Sequence, residues 1–268
     1  KEPKDAIHTF QCRDGFQMEL IAAEPLVMSP VSISYDENGN MYVAEMTDYP
    51  FGEDQANGRI RLLRDLDGDG RFDTSSIFVD GLRSPSSIAC WKGGIFVTTH
   101  GEIWYFKSSG STAPTADQRV KILTGFRMGS LEYMQNGLVW GIDNKIYGAT
   151  GPNGGTVERV GLPDAKPVSL AGQDFRFDPN TFTIEAISGG SQWGNTFDDS
   201  YHRFVCRNIA PARHLVLPLQ YLARNPFLKV PRLYHSLASE EGDVPVYRVS
   251  PPEAWRVARA RLRLELGK

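Results

Sequence analysis

The sequence predicts an all-β protein, because its apolar residues form short alternating runs bounded by glycine and proline. The 26 glycines and 17 prolines are spread along 268 residues, and no convincing amphipathic helix interrupts the strand-like runs before residue 250. A unit made of an alternating strand, a polar turn and an aliphatic-aromatic strand recurs four times. Aligned on Met41, Ile95, Ile146 and Phe204, the units are 54, 51 and 58 residues apart. Repeats of about 50 residues made of short strands are typical of β-propeller blades, each a sheet of four antiparallel strands.

Residues 1–250 are therefore expected to form propeller blades, with at least four blade cores visible. Closed propellers have about four to eight blades. The charged segment 251–268 is expected to be the start of a further blade, as a strand, or a C-terminal extension, as a short basic helix. In the first case the chain would be a truncated propeller, for example one of six blades. A β-sandwich is the competing fold, but it would not produce so regular a repeat.

Bulk composition excludes several classes of function. The net charge is −3 without a basic tract, which disfavours nucleic acid as a partner. No apolar run approaches the roughly 18 residues that span a bilayer, so no transmembrane segment is predicted. Cys12, Cys90 and Cys206 lack the spacing of zinc or covalent haem sites, and either one disulfide or three free thiols fits them. The first residue is Lys1 rather than Met, which fits a removed signal peptide and a periplasmic or secreted protein.

One acidic segment, residues 65–73, predicts a calcium site. Gly70, at position 6 of the segment, allows a sharp turn that would present the carbonyl of Arg71 as a further ligand. Position 12 is Ser76, where an EF-hand has a bidentate Glu, and both flanks are predicted strands rather than helices. We therefore expect a structural Ca²⁺ loop between two strands; the alternative is a solvated acidic turn. Oxygen donors occupy positions 1, 3, 5 and 9: Asp65, Asp67, Asp69 and Asp73.

Polar residues also follow the second strand of each repeat unit, where loops at one end of a propeller would carry them. His100 has the chemistry of a general base, and Glu45 and Asp48 could bind a cation or sugar hydroxyls. Each of these residues also fits a purely structural role: His100 as a hydrogen-bonded loop histidine, and Glu45 and Asp48 as parts of a hydrogen-bonded turn. Gln192 lies in a glycine-rich bend that brings the backbone close to a ligand or to the next blade. The equivalent positions in the third and fourth units are occupied by Asn153, Arg207 and Asn208.

Long stretches of the chain resemble the N-terminal propeller of the membrane-bound dehydrogenases abundant in planctomycetes, which are related to the soluble pyrroloquinoline-quinone (PQQ) glucose and sorbosone dehydrogenases. The likeness covers nearly the whole chain, and its motifs include VAEMTDYP, NGLVWG and DFRFDP. It is specific for the family rather than for a reaction. The matching stretches are 23–31, 43–50, 58–62, 65–73, 78–82, 91–94, 136–141, 146–149, 174–179, 192–194, 197–199 and 224–226.

The resemblance implies a PQQ-dependent dehydrogenase that oxidises a sugar or polyol, with Ca²⁺ and a c-type cytochrome as electron acceptor. For such a reaction the strand-end residues His100 and Glu45 are the catalytic candidates. The chain departs from the family at residues 130–135, where members often carry a histidine and this sequence has none. Two alternatives follow: a non-catalytic, calcium-stabilised propeller that binds carbohydrate or protein, and a scaffold domain of a larger protein. The cofactor-binding candidates, chosen by their placement next to the strands of the repeat units, are Asp48, Asn153, Gln192, Arg207 and Asn208.

Overall fold

The computed structural model describes residues 2–47, 49, 55–110, 115–162, 164–225, 227–230, 232–238 and 254–265. Within these residues the strands form four antiparallel sheets of four to six strands, which confirms the all-β prediction. Each of the four repeat units supplies the first two strands of one sheet. The predicted blade cores are therefore the starting hairpins of the four sheets.

The first two sheets carry the longest strands. The first sheet has the order β1-β2-β3-β4, with β1 (Pro30–Tyr35), β2 (Met41–Glu45), β3 (Gly58–Arg64) and β4 (Thr74–Leu82). The second sheet begins with β5 (Ser87–Trp91), β6 (Gly94–Thr99), β7 (Glu102–Lys107) and β8 (Gln118–Phe126). It is extended at its outer edge by a hairpin from later in the chain, β11 (Gly155–Arg159) and β12 (Val168–Ser169), because β11 pairs with β8.

The third and fourth sheets have four strands each. The third contains β9 (Asn136–Trp140), β10 (Ile146–Ala149), β13 (Asp174–Phe177) and β14 (Ile184–Ile187). The fourth contains β15 (Trp193–Phe197), β16 (Arg203–Arg207), β17 (Ala210–Leu215) and β18 (Tyr234–Ser236). The first strands of the four sheets contact one another in succession: β1 with β5, β5 with β9, and β9 with β15.

Helices are short or peripheral. None of the described helices is both long and apolar enough to cross a bilayer. The final helix, α3, lies in the charged C-terminal segment, for which the sequence predicted either a strand or a short basic helix. The helices are α1 (Pro3–Ala6), α2 (Leu219–Leu222) and α3 (Ala254–Glu265), with 3₁₀ turns at Ile7–Thr9 and Leu131–Tyr133.

Apolar cores hold the first three sheets together. Phe96 of the second sheet makes an edge-to-face contact with Phe177 of the third, with ring centroids 5.2 Å apart, and both are fully buried. Phe126 contacts Phe175 in the same way at 5.0 Å. Burying each phenylalanine contributes roughly 1.5–3 kcal/mol. The contact between the third and fourth sheets is different, because a buried ion pair between Asp174 and Arg203 lies there.

Candidate functional site

The acidic loop (residues 65–73) forms the turn between β3 and β4, as predicted. Carboxylate oxygens of Asp65, Asp67 and Asp73 lie within 4.8 Å of one another. Gly68 and Gly70 have φ values of 79° and 87°, a left-handed conformation that glycine adopts without steric cost. Three of the four predicted carboxylates are thus brought together.

Backbone amides of the loop hold these carboxylates in place. The two oxygens of Asp65 accept hydrogen bonds from the amides of Gly68 (2.7 Å) and Gly70 (2.9 Å). Asp73 Oδ2 accepts one from the amide of Leu66 at 2.6 Å. The amides of Gly70 and Gly68 hold the pKa of Asp65 below its ordinary value, because they stabilise the ionised form. Asp65 is therefore ionised at neutral pH.

Asp69 is not one of the three clustered carboxylates. Its Oδ1 accepts a hydrogen bond from the amide of Arg71 at 2.8 Å, and its own amide donates to Asp67 at 3.1 Å. The roles of Asp69 and of the Arg71 carbonyl as metal ligands stay predictions. The donor set is all oxygen, which fits a hard cation such as Ca²⁺ that takes about six to eight oxygen ligands.

Glu45, at the end of β2, is completely buried in a network of cations. Its Oε1 accepts a hydrogen bond from the amide of Met28 at 2.6 Å and lies 3.0 Å from Nε of Arg61. Its Oε2 pairs with Nε of Arg59, the residue directly opposite it on β3. Both oxygens of Glu45 therefore have partners, and the ion pairs with Arg59 and Arg61 join β2 to β3. A catalytic role for Glu45 stays a prediction that would require this network to open.

His100 follows β6 at the same end of the sheets, and its side chain is half-buried. Its amide donates to the carbonyl of Arg83 at 3.0 Å. Asp48, predicted to lie near it, is outside the described residues. The structure thus places His100 at the predicted end of a strand, and its role as a base stays a prediction.

We call this end of the four sheets the polar rim: the ends of β2, β6, β10 and β16 and the starts of β9 and β15. The remaining predicted residues lie at the rim in the third and fourth sheets. Gln192 is buried, and its Oε1 accepts a hydrogen bond from the amide of Asn208 at 3.1 Å. Asn153 donates to the carbonyl of Tyr133 at 3.0 Å. Arg207 ends β16 with a half-buried side chain. The structure joins Gln192 to Asn208, while Asn153 is held by the segment before β9.

Gln135 is a residue of the polar rim that the sequence analysis did not single out. It is buried and precedes β9 as Gln192 precedes β15. Its Nε2 donates to the carbonyls of Thr99 and Glu102. In both positions a Gln-x-Gly pattern ends in a glycine with positive φ, Gly137 and Gly194. This shared pattern is the signal that aligning the repeats could have used.

Two buried polar atoms of the rim form no hydrogen bond within the described residues: Gln135 Oε1 and Gln192 Nε2. One is an acceptor and the other a donor. Leaving such a group buried and unpaired costs about 1–3 kcal/mol, so these atoms are expected to meet water or a ligand. A hydroxyl group suits both, since it donates and accepts.

Solved structures similar to this chain include a PQQ domain and carbohydrate-active enzymes of family AA12, all at low identity. The holo form of the pyranose dehydrogenase PQQ domain from Coprinopsis cinerea is 15% identical with a TM-score of 0.45, over 70% of this chain and 44% of that one. A calcium structure of a family AA12 carbohydrate-active enzyme from Trichoderma reesei is 17% identical with a TM-score of 0.41, over 64% and 40%. An iodide structure of the AA12 family from T. reesei is 19% identical with a TM-score of 0.38, over 51% and 33%. The chain therefore spans less than half the length of these structures.

No curated protein matches the chain. A family model described as a domain of unknown function (DUF7133) matches residues 2–266. Since this match covers almost the whole sequence, the chain belongs to the DUF7133 family.

Proposed function

We propose that this chain is a calcium-stabilised segment of a β-propeller whose polar rim binds a sugar or polyol. One observation carries the proposal: the rim holds a buried acceptor, Gln135 Oε1, and a buried donor, Gln192 Nε2, that bond to nothing within the described residues. Neighbouring hydroxyls of a carbohydrate can donate to the first and accept from the second. The succession of β1, β5, β9 and β15 supports the propeller assignment, since the first strands of blades lie next to one another around a common axis.

Calcium has a structural role in this proposal. Asp65, Asp67 and Asp73 supply three carboxylates within 4.8 Å of one another at a turn that joins two strands of the first sheet. A cation there would neutralise their repulsion and fix the β3–β4 connection. The loop joins a different pair of strands from those that carry Gln135 and Gln192, so calcium would act by stabilising the sheet rather than by touching the sugar.

Calorimetric titration of the Ca²⁺-loaded protein with a panel of aldoses and polyols tests the rim. We expect saturable binding that Gln192→Ala weakens by about tenfold or more, the size expected for losing one hydrogen bond to a buried group. Gln118→Ala is the matched control, because Gln118 is exposed on β8 and should leave the affinity unchanged. The proposal is wrong if no sugar binds, or if Gln192→Ala and Gln118→Ala bind alike.

A second candidate is PQQ-dependent oxidation of the bound sugar or polyol. The observation that favours it is His100, which adjoins Thr99, the residue whose carbonyl holds Gln135 in the rim. A histidine there can take a hydroxyl proton near neutral pH. When bound, PQQ would supply the electron acceptor. The residues proposed to hold it are Arg207, Asn208, Asn153, Gln192 and Asp48. The carboxylate of Glu45, paired with Arg59 and Arg61, fits its predicted catalytic role poorly.

Reconstitution separates the two candidates. Chelator-stripped protein is titrated with PQQ and Ca²⁺, and dye reduction is then measured with the same sugars. Quinone binding with dye reduction that His100→Ala abolishes would establish the oxidation. Sugar binding without either would leave a recognition domain, in keeping with the absence of a histidine from residues 130–135.

The location and partners of the chain follow the same proposal. We infer membership of the planctomycete dehydrogenase group, a periplasmic or secreted location and, for the oxidising candidate, a c-type cytochrome as acceptor. Cell fractionation of the native host checks the location: recovery of the protein in the cytoplasm would contradict it.

A further inference from the structure

A cavity of about 470 Å³ lies between the third and fourth sheets. Its fourth-sheet wall includes the β15–β16 turn, at the opposite end of β16 from Arg207. Tyr147 and Phe197 form part of its aromatic surface, with ring centroids 5.2 Å apart. His202 and His214 lie side by side in its wall. The proposed sugar-binding function uses none of these residues.

The two histidine rings have the separation expected of ligands that share one metal ion. Their centroids are 4.9 Å apart and their planes cross at 69°. A Zn–N bond is about 2.1 Å long, so a ligating imidazole has its centre about 3 Å from the ion, and two such rings at a tetrahedral angle are about 5 Å apart. The observed separation of His202 and His214 meets this value.

Asp198 orients the first of these rings. Its Oδ2 lies 2.8 Å from Nδ1 of His202, and its Oδ1 accepts the His202 amide at 2.7 Å. A proton on Nδ1 directed at the carboxylate leaves Nε2 with its lone pair free for a metal. Metal-binding histidines commonly donate their other ring nitrogen to a carboxylate in this way.

Packing orients the second ring. His214, on β17, stacks on Phe204 of β16 with centroids 5.1 Å apart and planes at 28°. The two guanidinium groups of the cavity wall are already balanced by carboxylates: Arg176 pairs with Asp143 at 2.9 Å, and Arg203 with Asp174 at 2.7 Å. A bound cation would therefore not face uncompensated positive charge from them.

We propose that His202 and His214 bind a divalent transition-metal ion of the class of Zn²⁺, Ni²⁺ or Cu²⁺, whose other coordination positions face the cavity. Imidazole nitrogen suits these ions, whereas Ca²⁺ prefers the oxygen ligands of the acidic loop. Within the described residues no third histidine, cysteine or carboxylate joins these two in a set of ligand atoms within 4.8 Å of one another. The remaining positions are thus available to water or to a small molecule in the cavity.

His235 defines the competing assignment. It lies on β18 directly opposite His214, so a pair formed by His214 and His235 could bind the ion instead. The proposal prefers His202, because its ring contacts His214 at 4.9 Å and is oriented by the carboxylate of Asp198. Substituting each histidine separately distinguishes the two pairs.

The test is a Zn²⁺ titration of the full chain against a chromophoric chelator, with millimolar Ca²⁺ present to saturate the acidic loop. We expect one equivalent of Zn²⁺ to bind. His202→Gln and His214→Gln should each weaken this binding by more than tenfold, and Asp198→Asn by about tenfold. His8→Gln is the control, because His8 is exposed and lies outside the four sheets.

Three results would overturn the proposal: no Zn²⁺ binding by the wild-type protein, equal binding by the His202→Gln and His8→Gln variants, or a loss caused by His235→Gln but not by His202→Gln. Circular dichroism of each variant checks that the sheets are intact. His202 is half-exposed at the β15–β16 turn, so its substitution is the one least able to disturb the fold.

Discussion

Two sets of carboxylates in this molecule are stabilised in opposite ways. Glu45 and Asp174 are fully buried, and each is neutralised by arginine: Glu45 by Arg59 and Arg61, and Asp174 by Arg203. The acidic loop is exposed or half-exposed, and within the described residues no lysine or arginine pairs with its clustered carboxylates. Their hydrogen bonds come from backbone amides instead.

The comparison shows which carboxylates are neutralised by side chains of the protein itself and which are not. Asp174 also accepts hydrogen bonds from the amide (2.9 Å) and hydroxyl (2.5 Å) of Ser191, so its environment is closed. A closed ion pair joins elements of the fold, and removing one partner leaves a buried charge. The three clustered carboxylates are the opposite case, because they repel one another and, within the described residues, no cationic side chain pairs with them.

Breaking the Asp174 pair should have the largest effect. Arg203→Ala leaves a buried carboxylate without its cation, and we expect a loss of about 3–5 kcal/mol in the free energy of unfolding. Arg119→Ala is the control: Arg119 pairs with Asp80 at 3.7 Å on the surface, and such pairs contribute about 0–1 kcal/mol. Urea denaturation measures both. Equal effects would show that the buried pair is not what joins the third and fourth sheets, and Arg203→Lys provides a milder variant if Arg203→Ala does not fold.

Glu45→Gln should have the next largest effect. The substitution removes the charge that faces Arg59 and Arg61 but keeps an acceptor for the Met28 amide. Losing charge-assisted hydrogen bonds should cost roughly 2 kcal/mol in unfolding free energy, measured by urea denaturation. A catalytic Glu45 gives the reverse pattern: full stability with loss of dye reduction in the PQQ assay.

The smallest effect is expected for Glu185, a partly exposed carboxylate that pairs with Lys145 and Arg176, and the effect depends on pH. Burial raises the pKa of Glu185, but hydrogen bonds from Lys145 and Arg176 outweigh it and bring the pKa below its ordinary value. A lowered pKa in the folded state means that the ionised group stabilises the fold above the unfolded pKa of about 4.3, and that this contribution is lost as the pH falls through the folded value.

Glu185→Gln should therefore lower the unfolding free energy by less than about 1 kcal/mol at pH 7, since the side chain is 39% exposed and solvent screens the pair. The difference from the wild type should shrink as the pH falls below the unfolded pKa of about 4.3, towards the lower folded pKa. Urea denaturation at pH 7 and at pH 3 measures it. A difference that grew in acid would contradict the assigned sign.

Much of the fold is local and could be predicted from the sequence. The alternation of apolar residues within each repeat unit identified the starting hairpins of all four sheets, because neighbouring strands pair through short turns. The β11–β12 hairpin could not be predicted in this way. It lies in the chain between β10 and β13 but pairs with β8 of the preceding sheet, and strand periodicity does not show which distant edge a hairpin joins.

The same limit applies to the candidate sites. The acidic loop is contiguous, so its spacing alone predicted a cluster of four carboxylates, three of which the structure brings together. The pairing of Glu45 with Arg59 depends on the register of β2 against β3, and the contact of His202 with His214 depends on how β16 pairs with β17. Register is set by tertiary packing and turn geometry, which the sequence analysis did not resolve.

Thermal unfolding of the chelator-stripped protein, with and without Ca²⁺, tests most directly whether calcium stabilises this fold. A ligand that binds only the folded state at about 100 times its Kd adds about 2.7 kcal/mol, so Ca²⁺ should raise the Tm by several degrees. Asp67→Ala should abolish this rise, whereas Asp80→Ala, which removes an exposed acid outside the loop, should keep it. An unchanged Tm on adding Ca²⁺ to the wild-type protein would contradict the calcium-stabilised propeller.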